Sequence, residues 1–103
     1  MLVRIVKMRF RESEINRFKS LFDANKERIR NFPGCKHLVL YQDQNEPTIF
    51  FTYSYWKNAE HLEAYRHSDV FTEIWQLTKV LFDYKPEAWS LDTIAELPYL
   101  DLT

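Results

Sequence analysis

His37, His61 and Tyr65 are the side chains of this sequence that could move a proton beside an aromatic molecule, and Trp75, Phe71, Tyr53 and Tyr55 could wall such a molecule. His37 alternates with Leu38 on a strand-like run, so it is either a buried ring with a satisfied hydrogen bond or a base in a pocket. His61 stands one helical turn before Tyr65, which allows a His and Tyr pair on one face; the plainer reading is an exposed histidine on a short helix. Trp75 is central on the widest apolar helix and either packs the core or walls a flat ligand. Tyr53 and Tyr55 share one strand face, as hydrogen-bond donors or as filling of an interface. His67, beside Ser68 and Asp69, reads as a helix-end residue near the negative pole of the dipole.

Other chemistries are excluded by residue type. One glycine, Gly34, cannot build a dinucleotide fingerprint, a P-loop or a nucleophile elbow, each of which needs several. Three histidines without ligand spacing and one cysteine give no metal signature, so no metal is expected. The lone Cys35 cannot form an internal disulfide, and Arg4, Lys7, Arg9 and Arg11 interrupt any leader-like apolar run, so a reducing cytoplasm is expected. A net charge of -1 offers no reason to seek nucleic acid, and no apolar stretch is long enough to span a membrane.

The elements that must position these residues follow from periodicity. With 103 residues, 46% hydrophobic and 28% charged, the chain can bury one core, and a single domain over 1–103 is expected. Residues 2–10 alternate as a first strand, with Leu2, Val6, Met8 and Phe10 on one side and Val3 and Ile5 on the other. A cap at Ser13 opens a long amphipathic helix that ends near Phe32, ahead of Pro33 and Gly34. Cys35 to Gln42 and Thr48 to Trp56 form a hairpin around Asn45-Glu46-Pro47. Asn58 caps a short helix to about His67, Ser68 caps a third over about 69–84, and a last strand covers Glu87 to Ile94. The tail, 95–103, carries Leu97, Tyr99, Leu100 and Leu102 and is expected to dock on a dimer. Strand, helix, strand, strand, helix, helix, strand is an α+β ferredoxin-like order, βαββααβ, with an antiparallel four-stranded sheet. Neither face of the third strand suits water: Ile49, Phe51, Tyr53 and Tyr55 point one way, Phe50, Thr52 and Trp56 the other. Helices can cover one face only, so the pattern predicts that a second copy covers the other, making a homodimer.

Phe32-Pro33-Gly34-Cys35, the strand ending in Trp56, and the run Trp56-Lys57-Asn58-Ala59-Glu60-His61-Leu62-Glu63-Ala64-Tyr65 resemble the antibiotic-biosynthesis-monooxygenase family of dimeric α/β barrels. There a Pro-Gly-Cys-like turn opens the second strand and a Trp closes the third. The likeness runs from about residue 2 to 94. It implies a cofactor-free oxygenase acting with dioxygen on a small phenol or quinol, and Tyr65 falls where relatives place a pocket-lining His or Trp. It disfavours the haem-degrading branch, whose Asn on the first strand, Trp and His are replaced here by no Asn, Tyr65 and Trp75. His37, Tyr65 and His61 are then the expected catalytic residues, and Trp75, Phe71, Tyr53 and Tyr55 the substrate-binding ones. The alternative is a non-catalytic dimeric small-ligand-binding or structural module whose aromatics only fill the core.

Overall fold

The computed structural model describes residues 1–100, and its element order is the expected one. It contains β1 (Leu2–Arg9), α1 (Ile15–Arg30), β2 (Cys35–Gln42), β3 (Ile49–Trp56), α2 (Ala59–Arg66), α3 (Asp69–Lys79) and β4 (Glu87–Asp92). The four strands are antiparallel in the order β2-β3-β1-β4, so the first strand lies in the sheet's interior.

Two helix boundaries differ from the sequence reading. Ser13 does not cap α1: it lies inside a short 3-10 turn over Glu12–Glu14, and α1 starts after it. The third helix stops at Lys79 instead of continuing to Tyr84. Its continuation is captured by the start of the chain: Arg11 N donates to Leu81 O (3.2 Å), Asp83 N donates to Arg9 O (3.0 Å), and Phe10 bridges to Phe82. Sheet-like pairing thus outcompetes one more helical turn, and Leu77 and Val80 of the wide apolar stripe remain exposed. The other caps form as read: Asn58 Oδ1 accepts from His61 N (3.0 Å) and Ser68 Oγ from Phe71 N (3.1 Å).

All three helices lie on one face of the sheet. Its main cluster there is Met8, Phe10, Phe18, Phe50 and Leu81, and a second holds Cys35, Trp56 and Leu62. The opposite face carries Val3, Ile5, Phe51, Tyr53, Tyr55, Trp89 and Leu91 in cross-strand register, and no helix among the described residues covers it. In the described part of the tail Leu97, Tyr99 and Leu100 are all more than four-fifths exposed. Its Leu102 lies outside the described residues.

Candidate functional site: an aromatic cavity between helices and sheet

Sheet and helices diverge at one end of the core and leave a cavity of about 390 Å³, within the usual range of small-molecule sites. Its floor is the helix-facing side of the sheet, with Arg4, Val6 and Met8 from β1, Leu38 from β2, and Thr52 and Ser54 from β3. Its roof comes from Tyr65 on α2 and from Phe71, Ile74 and Trp75 on α3.

The roof is an aromatic relay fixed by helix packing. Trp56, 1% exposed, stacks on Tyr65 with ring centroids 5.0 Å apart. Tyr65 meets Phe71 edge-on at 5.3 Å, and Phe71 lies nearly parallel to Trp75 at 5.8 Å and 10°. Ser68 holds the two helices together at this point: its hydroxyl donates to Tyr65 O (2.6 Å) while it caps α3. Burial pushes the Tyr65 phenol well above the ordinary tyrosine range, so it is a neutral donor and not a base. Ser54 Oγ accepts from Trp56 Nε1 (3.0 Å), which leaves the hydroxyl hydrogen free to donate.

Three expected residues meet here: Tyr65, Trp75 and Phe71 all line the cavity. Four do not. Tyr53 and Tyr55 lie on the outer face, 5.5 Å apart, where the Tyr53 hydroxyl, and less so desolvation, pushes the Tyr55 phenol up to about 12. His37 is exposed on that same outer face, 5.3 Å from Tyr55. The placement departs from simple alternation because β2 carries a bulge between Cys35 and His37. Cys35 is buried under the helices, so strict alternation would send His37 there too; the extra residue, Lys36, flips the phase and leaves Leu38 pointing inward. His61 turns away from Tyr65, packs over Gly34, and places Nδ1 2.7 Å from Asn58 Oδ1.

Arg4, Ser54 and Arg66 also line the cavity, outside the expected set; of these Arg4 is the charge on the floor. It stands at an inward position of β1, and its Nη1 donates to Ser90 Oγ (3.0 Å) on β4. Burial and then the neighbouring Arg66 hold its pKa below the ordinary value, with Glu63 opposing them. The available signal was a charge in phase with Leu2, Val6 and Met8. Among the described residues no group of three or more His, Cys, Asp or Glu could hold a metal ion, and no helix is long and apolar enough to cross a membrane.

A ferredoxin-like α+β sheet with an aromatic cavity under its helices defines the class. The chain belongs to the antibiotic biosynthesis monooxygenase family, whose model matches residues 1–76. Among solved structures, one described as an antibiotic biosynthesis monooxygenase is 21% identical with a TM-score of 0.86, covering 92% of this chain and all of its own. A conserved protein from Methanosarcina mazei is 25% identical with a TM-score of 0.82, over 88% of this chain and 91% of that one. A mutant form of SnoaB, a cofactor-independent oxygenase from Streptomyces nogalater, is 12% identical with a TM-score of 0.84, over 95% and 97%. No curated protein sequence matches at a significant level.

Proposed function

We propose that this protein is a cofactor-independent monooxygenase that oxidises a small, flat phenol or quinol with dioxygen inside the aromatic cavity. The observation that carries the reading is the cavity itself, walled by Tyr65, Phe71 and Trp75 and supplied with hydroxyl donors from Tyr65 and Ser54. A phenol with a free ring position and one dioxygen give one quinone and one water, so the substrate supplies every electron. The protein's task is then to exclude water, hold the ring and stabilise the oxyanion. Trp75 and Phe71 stack on the ring, and the neutral Tyr65 hydroxyl donates to its oxygen. The related fold of SnoaB, described as a cofactor-independent oxygenase, supports the reading.

Oxygen uptake with a panel of phenols and quinols tests it: consumption should match quinone formed, and no uptake across the panel would refute catalysis. With an accepted substrate, Tyr65→Phe should lower kcat/KM by about 10²-fold, the usual loss on deleting one oxyanion donor, without changing thermal stability. The absence of a histidine from the lining residues favours a second reading, a non-catalytic ligand-binding module. Ligand binding without oxygen uptake would select it.

We assign the uncovered sheet face to a homodimer and the protein to the cytoplasm, in keeping with the buried free thiol of Cys35. Tyr53, Ile5 and Trp89 form one apolar row there and Tyr55, Val3 and Leu91 the next, of the kind that subunit interfaces bury. Ile5→Glu should convert the dimer to monomer in sedimentation, because it buries a charge between Tyr53 and Trp89 with no cation opposite it. A wild type that sediments as a monomer at micromolar concentration would defeat the assignment.

A further inference from the structure

β1 reads Leu2-Val3-Arg4-Ile5-Val6-Lys7-Met8, and its even positions face the helices. Arg4 is the single charge among those positions. A half-buried cation in an apolar setting costs free energy unless something compensates it. Arg4 forms no salt bridge among the described residues, and its hydrogen-bond partner is the neutral Ser90 hydroxyl at 3.0 Å. That contact occupies one of five guanidinium N–H groups.

The acids around it are engaged or peripheral. Glu63 accepts from Arg66 at 2.8 Å and sits 3.1 Å from His67 Nε2. Glu87 borders the cavity at its exposed rim and lies opposite Lys7 in the ladder. Arg66 also lines the cavity and adds positive potential at Arg4. The result is an aromatic-walled space whose floor carries a cation with no salt-bridge partner among the described residues.

We infer that the cavity takes an aromatic anion: a flat ring system bearing an ionised oxygen group, carboxylate or phenolate, seated on the Arg4 guanidinium, with Ser90 holding the guanidinium in place. The inference rests on the cavity being the ligand site proposed above. It also supplies what that site lacks, since a guanidinium beside a phenol favours the phenolate, the electron-rich form that reacts with dioxygen, without a histidine base.

The test compares naphthalene carboxylate with its neutral shape mate naphthalene methanol, by calorimetry at neutral pH. Wild type should bind the carboxylate at least about tenfold more tightly, a difference of about 1.4 kcal/mol. Arg4→Met should abolish that preference while still binding the alcohol, which also shows that the variant is folded; Arg66→Gln should weaken the preference only in part. Para-nitrophenol separates the two anion types, because its absorbance reports ionisation: bound to wild type, its apparent pKa should fall, and Arg4→Met should restore it. A fall with no carboxylate preference assigns the site to phenolates, and the reverse assigns it to carboxylates. Equal binding of carboxylate and alcohol to wild type, with no shift of para-nitrophenol, overturns the inference and leaves the cavity reading standing. No binding of any probe removes both. If Arg4→Met binds nothing, the wild-type preference, the para-nitrophenol shift and their weakening in Arg66→Gln decide the matter.

Discussion

Phe10→Ala is expected to destabilise the protein by about 3–5 kcal/mol, the usual range for truncating a fully buried Phe. Phe10 is 0% exposed and makes its contacts at the meeting point of three elements. Its ring stacks on Phe18 of α1 at 4.0 Å, meets Phe50 of β3 edge-on at 5.7 Å, and lies 5.2 Å from Phe82. The last contact belongs to the bridge that ends α3, so the substitution removes core volume and loosens the anchor of the cavity's roof together. Against a total stability of roughly 5–15 kcal/mol for a small domain, most of the margin would go. Urea unfolding should show a large drop in midpoint with an unchanged slope. A loss under about 1 kcal/mol would mean that the site collapses around the missing ring and that the packing account is wrong.

Gly34→Ala should cost about 2–3 kcal/mol, from two causes that can be separated. Gly34 has φ of 90°, where an L side chain is strained by about 1–2 kcal/mol. A Cβ there would also overlap the His61 Cβ and ring, and moving that side chain disturbs its contact with the Asn58 cap, an interaction worth about 1 kcal/mol. In a His61→Gly background, which also removes the Cβ, only the backbone part should remain, and a double-mutant cycle by chemical denaturation measures the difference. Equal losses in both backgrounds would show that the His61 overlap carries no energy. The turn matters beyond itself, because Gly34 O accepts from Lys57 N at 2.8 Å and so ties the start of β2 to the end of β3.

Element order, helix faces and sheet arrangement were legible because each is written in a period. Phe71, Ile74, Trp75 and Thr78 recur at helical spacing, and β3 is apolar on both sides, which exposes the need for two covers. The site was half legible. Tyr65, Phe71 and Trp75 sit on helices, where spacing assigns a face, but His61, one turn before Tyr65, is drawn instead to Asn58 and lies over Gly34. His37 sits beyond a bulge, and an inserted residue leaves no mark in an alternating pattern. Arg4 does not stand out in the sequence because a strand charge ordinarily marks the solvent side; only its phase with Leu2, Val6 and Met8 marks it as inward. The early end of α3 was hidden for another reason. It depends on pairing with residues about seventy positions earlier, which local propensity does not register.

Strand order has a consequence for the newly made chain. β1 leaves the ribosome before the other three strands, yet it pairs on one side with β3 and on the other with β4, the last of the four to be made. Contacts so distant in sequence form slowly, since the intervening chain must be closed into a loop first. During synthesis β1 therefore waits with an open edge, and Arg4 stays without Ser90 until β4 arrives. The charged Arg4, Lys7 and Arg9 along that waiting strand then act as gatekeepers against mispairing with other nascent chains. The residue that lies on the cavity's floor in the finished protein would first serve to keep the unfinished one from aggregating.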